Sequence, residues 1–406
     1  MTGPTPVTHR TPDPTGYVPL SADLMQVHRR LTDQERQTLA GLRALLDEHV
    51  VPHADRWWEA SEFPHELVPV FAEAGLFTYG YEQTRTFENS ALFRGMVAVE
   101  LARADASVGT FAGVHSGLAM GSVALCGSRE QQDEWLPRMA AGEAIGCFAL
   151  TEPEHGSDVA RGLATTARRD GDEWILDGAK RWIGNGTWAD IAVVWARDVA
   201  DDQVKGFLVP KGTPGWTATK IEGKYSLRTV QNADITLDGV RVPERLRLQG
   251  ANSFKDTARV LRLTRLEVAF AALGNAIGAY ERAVAYALER EQFGREIGRF
   301  QLVQDLLSRC LAHLTSSMSV AVAAADLKQE GREQDHHASM AKMVVADQCR
   351  QVVAWCRELL GGNGVVIDHG VVRRFADAEA QYSFEGTREM NSLILGRHIT
   401  GRQAFV

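Results

Sequence analysis

The sequence predicts an α+β protein in which a helical region, a β region and a helical bundle follow one another. Three observations predict it. Apolar residues recur at three- and four-residue spacing through the first third. Short β-favouring runs, parted by turn dipeptides, occupy residues 147 to 248. From Ala258 onward the helical period returns and persists. The chain has 406 residues, which at roughly 150 residues per domain suggests two to three domains. With 45% hydrophobic and 24% charged residues, disorder and collagen-like repeats are excluded.

The elements follow in order. Residues 1–28 form a proline-rich arm (Pro4, Pro6, Pro12, Pro14) with no apolar core of a signal peptide. Residues 29–146 form the helical N-terminal domain, where Leu39, Leu42, Leu45 and Leu46, then Leu67, Val70 and Phe71, mark buried faces. Alanine and glycine from Ala91 to Gly146 favour close helix contact. Residues 147–255 form the β domain, with runs at Trp174–Leu176, Ile191–Trp195, Phe207–Val209 and Ile235–Leu237. Turns are expected at Asp170-Gly171-Asp172, Asp177-Gly178, Pro214-Gly215 and Asp238-Gly239, giving a small antiparallel barrel or sandwich. Residues 256–406 form the bundle, with stripes at Leu273, Ile277, Tyr280 and Val284, at Leu302, Leu306, Cys310 and Leu314, and at Met340, Val344, Val352, Cys356 and Leu360. Gly361-Gly362 ends the last of these helices.

Charge and cysteine narrow the class. Lys and Arg number 44 against 52 Asp and Glu, a net charge of −8, which argues against a nucleic-acid groove. No run of about 18 apolar residues is evident, so no membrane span is expected. Five cysteines without a CxxC pair read as buried thiols, with no metal centre. A cytoplasmic location is expected.

Five segments could carry chemistry. Thr151-Glu152-Pro153-Glu154-His155-Gly156-Ser157-Asp158 offers hydroxyls and open backbone N–H groups suited to a heterocycle or phosphate, although a capped turn has the same composition. In Lys180-Arg181-Trp182-Ile183-Gly184-Asn185-Gly186 the glycines let a ring approach the backbone, and Trp182 either stacks on that ring or lies in the core. Arg290-Glu291-Gln292-Phe293-Gly294, with Gln301 beyond, places an Arg at a helix end, where it either satisfies the dipole or binds phosphate. Leu360-Gly361-Gly362-Asn363-Gly364 frees backbone at a helix terminus. In Phe384-Glu385-Gly386-Thr387 a carboxylate sits in apolar company, which raises its pKa toward that of a useful base.

In combination, and in this order, the five segments resemble the acyl-CoA dehydrogenase family, over nearly the whole chain beyond the arm. Gly146-Cys147-Phe148, Lys224-Tyr225-Ser226-Leu227-Arg228 and the tail Leu393-Ile394-Leu395-Gly396-Arg397, Ile399-Thr400-Gly401 and Gln403-Ala404-Phe405 are similar to the glutaryl-CoA dehydrogenase branch. The resemblance implies a helical domain, a β domain and a C-terminal four-helix bundle, assembled as a homotetramer or homodimer around FAD. It implies that Phe148, Leu150, Thr151, Gly156 and Ser157 face the flavin and pyrophosphate, and that Trp182, Ile183 and Gly184 wall the other side. Arg290, Gln292, Phe293, Gln301, Glu358, Gly361 and Gly362 would hold the adenosine end of a partner's FAD, and Thr387 would touch the cofactor. Ser157, Arg265, Gly109, His115, Phe384 and Gly386 would face the acyl thioester. Glu385 matches the base that removes the α-proton while β-hydride passes to flavin N5, and an electron-transfer flavoprotein would accept the electrons.

Departures from the family pattern refine this. Gly109 stands where glutaryl-CoA dehydrogenases carry an Arg for the distal carboxylate, and an unpaired buried carboxylate is costly; glutaryl-CoA is therefore disfavoured. His115, nearby, could meet a polar acyl tail or be a satisfied core histidine. Phe384 replaces a common Tyr, and Gly184 replaces a hydroxyl residue near N5, which leaves a flavin oxidase open. An acyl group tethered to a carrier protein is a further alternative substrate. A non-catalytic flavoprotein is a rival that Glu385 argues against.

Overall fold

The computed structural model describes residues 10–403. Pro4 and Pro6 of the arm, and Ala404 and Phe405 of the tail, lie outside the described residues. From Tyr17 the arm is already packed: Tyr17, Leu20 and Ala22 are buried, and the Arg43 guanidinium lies 4.9 Å over the Tyr17 ring.

The N-terminal region is helical: α1 (Asp33–His49), α2 (Ala54–Ala60), α3 (Leu67–Glu73), α4 (Ala91–Ala104) and α5 (Ala106–Ala112). A π-helical turn, Gly113–Ala119, joins α5 to α6 (Met120–Cys126), and α7 (Arg129–Ala140) follows. Thr32 and Glu35 close a capping box on α1, reciprocally satisfying two N–H groups that would otherwise lack partners. Leu39, Leu42 and Leu46 are buried beneath it. The continuous stretch Ala106–Cys126 and the later helix Gln301–Gln329 are in fact long and apolar enough to cross a membrane by length and composition. Alanine, valine and leucine give the first its hydropathy, and most of its apolar window is buried inside the molecule.

The middle region holds β1 (Gly146–Ala149), the short α8 (Val159–Gly162), β2 (Thr166–Asp170), β3 (Glu173–Gly184), β4 (Ile191–Asp198), β5 (Val204–Pro210), β6 (Trp216–Lys220) and β7 (Asn232–Pro243). They form one sheet of order β1-β4-β2-β3-β7-β6, with β5 also on β4. The expected antiparallel sheet is mixed: β1 and β2 both run parallel to β4. β1 enters directly from the helical domain, so no hairpin dictates its direction. Asp170-Gly171-Asp172 is the β2–β3 turn, but Asp177-Gly178 and Asp238-Gly239 are not turns. They are irregularities inside β3 and β7, facing each other across the ladder, where Gly239 N–H donates to Asp177 Oδ1 at 2.7 Å.

The C-terminal region comprises α9 (Phe254–Glu289), a hairpin of β8 (Glu291–Gln292) and β9 (Arg295–Glu296), then α10 (Gln301–Gln329), α11 (Asp335–Leu359), α12 (Val371–Ser383) and α13 (Arg388–Thr400). The stripes on α9 and α11 bury Leu273, Ile277, Tyr280, Val352, Cys356 and Leu360. Leu302, expected in a buried stripe, is 82% exposed. All five cysteines are free and buried. The helical domain docks on the bundle through α4 and α9, and glycine makes that approach possible: a Cβ at Gly95 would stand 2.5 Å from the Phe270 ring, and one at Gly274 2.2 Å from the Val99 carbonyl.

Candidate active site

Glu385 occupies the turn between α12 and α13, and three interactions hold that turn. Its backbone is left-handed, with φ of 50° at Glu385 and 90° at Gly386, a conformation that costs energy at a non-glycine residue and persists only where surroundings impose it. Lys342 of α11 imposes it, donating to the Tyr382 carbonyl at 2.7 Å and the Gly386 carbonyl at 2.8 Å. Asn391 donates to the Gly386 and Thr387 carbonyls, and Thr387 caps α13 through the Met390 N–H. The Thr264 hydroxyl of α9 donates to Glu385 Oε2 at 2.7 Å.

Burial pushes the Glu385 carboxyl up to about 7, with Glu267 adding to the rise and Thr264, Arg265 and Lys342 opposing it. The same burial lowers the Lys342 ammonium to about 8. The Glu385 N–H makes no hydrogen bond among the described residues, which leaves a free backbone donor beside the carboxyl group.

The β-domain segments converge on one face. Phe148 and Leu150 are buried, Thr151 is half-buried and Ser157 is exposed. The Thr151 carbonyl accepts from Arg181 N–H at 2.8 Å, which ties the first segment to the second. Beneath them lies an ion pair, Lys180 with Glu152 at 2.8 Å, both buried. Glu152 also accepts from the N–H groups of Ala164 and Thr165, and Lys180 donates to the Leu150 carbonyl. Although burial works against its charge, Lys180 and these donors hold the Glu152 carboxyl below its usual range.

Trp182 is no core residue: it is 51% exposed, with φ of 65°. Ile183 is buried. Gly184 has a packing reason, because a Cβ there would stand 3.1 Å from Val114 Cγ2 of the π-turn.

The remaining cofactor candidates cluster elsewhere. Arg290, Gln292, Phe293, Gln301, Glu358, Gly361 and Gly362 are all exposed. They gather where α9 and α11 end, and the Asn363 side chain donates to Tyr286 OH at 2.9 Å to join those ends. Thr264 and Arg290 are separated along α9 by about 39 Å at the rise of an α-helix. One chain therefore presents two separate surfaces, one around Glu385 and one around Arg290.

Among the substrate candidates, Arg265 is half-buried and reaches Ser339 Oγ at 3.4 Å, and Phe384 packs half-buried against the core. His115 is corrected to a structural residue. Its Nδ1 accepts from Gly146 N–H and its Nε2 donates to the Met139 carbonyl, both at 3.0 Å, and burial lowers its pKa to about 4. Neither ring nitrogen is left for an acyl tail. Gly109 is closely packed, since a Cβ there would stand 3.3 Å from Ala102 N.

Sequence reasoning missed Thr264, Lys342 and the Glu152–Lys180 pair. Only the last had a legible signal, opposite charges inside the two segments already singled out.

The residues present fit a flat, partly apolar ring carrying phosphates. Phe148 and Leu150 give an apolar wall and Trp182 an exposed indole, and open space stands where a Cβ would lie at Gly113 and Gly156. The sequence matches the family models described as acyl-CoA dehydrogenase N-terminal domain over residues 32–143, middle domain over 147–240 and C-terminal domain over 254–400. It is 32% identical over 384 residues to the mitochondrial short-chain specific acyl-CoA dehydrogenase of Bos taurus, covering 93% of this chain and 91% of that protein. It is 31% identical over 365 residues to an acyl-CoA dehydrogenase of Bacillus subtilis (strain 168), covering 89% and 96%.

Among solved structures, glutaryl-CoA dehydrogenase from Mycobacterium smegmatis in complex with FADH2 superposes with a TM-score of 0.91 at 36% identity, covering 96% of this chain and all of that one. Butyryl-CoA dehydrogenase from Megasphaera elsdenii gives 0.86 at 28% identity, covering 91% and 98%. With three domain matches in order, and relatives aligned over nine-tenths of its length, the chain belongs to the acyl-CoA dehydrogenase family, FAD-dependent oxidoreductases acting on acyl-CoA.

Proposed function

We propose that this protein converts an acyl-CoA thioester other than glutaryl-CoA to its α,β-enoyl thioester, with Glu385 as the base. The observation that carries this reading is the Glu385 turn, where a carboxyl raised to about 7 adjoins its own unpaired backbone N–H. A base titrating near the working pH combines the right protonation state with useful basicity. The N–H donates to the thioester carbonyl, and as the α-proton leaves for a Glu385 carboxylate oxygen that bond strengthens with the charge on oxygen. Thr264 fixes the carboxylate rotamer, Lys342 fixes the turn, and burial keeps water from the base. Bound FAD supplies the hydride acceptor for the β-carbon.

Phe148, Leu150, Thr151, Ser157 and Trp182 hold the flavin end of the cofactor in this reading. The exposed Arg290, Gln292, Gln301 and Glu358, too far along α9 to reach it, serve the adenosine end in a partner chain of a homotetramer. An electron-transfer flavoprotein is the acceptor and the cytoplasm the location. Val114 filling the space beside Gly184 supports a dehydrogenase over an oxidase.

The test is an anaerobic titration of the FAD-loaded protein with a panel of acyl-CoA thioesters, read as bleaching of the flavin band. One subset should bleach it, while E385Q should bind FAD normally and bleach at least a hundredfold more slowly, the scale of a lost general base. An E385Q protein that bleaches at the wild-type rate sinks the base assignment.

A further inference from the structure

A second carboxylate borders the site, and among the described residues none pairs with it. Glu267 lies one helical turn beyond Thr264 on α9. A Cβ built at Gly117 would stand 3.0 Å from Thr264 Cγ2 and 3.5 Å from Glu267 Oε2. Glycine at 117 thus lets the π-turn close onto α9 between the hydroxyl that orients Glu385 and the Glu267 carboxylate. Among the described residues Glu267 makes no hydrogen bond and no ion pair, yet it keeps some accessible surface deep within the molecule. A carboxylate largely withdrawn from water without a donor is costly, and such groups in native structures ordinarily have a partner.

The surrounding groups explain how its charge is tolerated and why they do not satisfy it. Lys328 of α10 and Arg94 of α4 lie close enough to favour the ionised form, against a burial that raises the carboxyl above its usual value. Both cations are engaged elsewhere: Lys328 donates to the Leu263 carbonyl at 2.8 Å, and Arg94 to the Asn89 side chain and carbonyl. Tyr81 OH donates to the Ser116 and Gly117 carbonyls.

From this geometry, and resting on the reading of Glu385 as the base, we propose that Glu267 forms the polar end of the acyl pocket and accepts a hydrogen bond from a hydroxyl on the distal part of the acyl chain. The preferred substrates are then ω-hydroxyacyl thioesters. A terminal carboxylate meets a like charge and is rejected, for a reason independent of Gly109.

The experiment compares pentanoyl-CoA, 5-hydroxypentanoyl-CoA and glutaryl-CoA, with 6-hydroxyhexanoyl-CoA against hexanoyl-CoA as a longer pair. Anaerobic flavin bleaching gives kcat/KM for each on wild type, E267Q and E267L, with flavin content confirming the fold. Wild type should favour a hydroxylated chain over its alkyl match by about tenfold, the scale of one hydrogen bond to a charged acceptor. E267L should reverse that ratio, and E267Q should keep part of it. A wild-type preference for alkyl chains that E267L leaves unchanged overturns the pocket assignment alone. Preference for glutaryl-CoA overturns it in favour of recognition by Lys328 and Arg94. A loaded enzyme bleached by no thioester overturns the dehydrogenase reading, and this proposal with it.

Discussion

In the role proposed for it, Glu385 is balanced between two failures. Held too low, its carboxylate would not attack a weakly acidic α-proton; held too high, it would stay protonated. Burial sets the level near 7 and the Thr264 hydroxyl moderates it. A base acts ionised, so the proposed role of Glu385 predicts that kcat/KM rises as pH climbs through about 7. T264V removes a hydrogen bond that favours the carboxylate, so its rising limb should lie at higher pH than that of the wild type and its rate at pH 6 should fall. A pH–rate profile of both proteins checks this, since kcat/KM reports groups of the free enzyme. An unmoved limb would mean that Thr264 only packs.

Among the elements, the loop after β1 and the second half of β3 depend on a shared buried pair. Removing one partner of such a pair strands the other charge. K180M should therefore cost about 3–5 kcal/mol by urea unfolding and shed flavin on gel filtration, because Glu152 would lose the cation that holds the loop against Leu150. Full stability would mean that the backbone donors suffice for Glu152. This element also shows how far sequence reaches. Motifs built from turn residues were legible, since glycine, proline and short polar residues advertise special backbone wherever they stand. Asp177-Gly178 and Asp238-Gly239 misled for that same reason, since a facing irregularity inside a ladder uses the dipeptides of a hairpin turn, and only the pairing register tells them apart. Thr264, Glu267 and Lys342 were illegible because they sit on helices whose period marks what is inward without saying whether the inward face meets core or cavity. His115 inverted the problem: it stood beside the right segment, but both its nitrogens were already spoken for.

Across the whole molecule, α9 carries the Glu385 surroundings near its start and the exposed Arg290 group at its end. Phe293 is 94% exposed, Leu302 82% and Val365 63%, an apolar collar around that second surface of the kind that marks an interaction site. Light scattering should give a particle near four times 44.6 kDa. The double variant F293D/L302D should lower that mass and weaken FAD retention together; loss of assembly with flavin binding intact would separate the two surfaces from the cofactor. The π-turn adds one more consequence. A π-turn holds one residue more than the α-helical turn it replaces, so every side chain before it is rotated by about 100° relative to those after it. Val114 stands beside Gly184 while Gly117 stands beside Thr264 and Glu267 across that offset. Excising a single residue there would restore an ordinary helix and turn one of those two contacts away, so the packing beside Gly184 and the packing beside Glu267 are coupled through one turn.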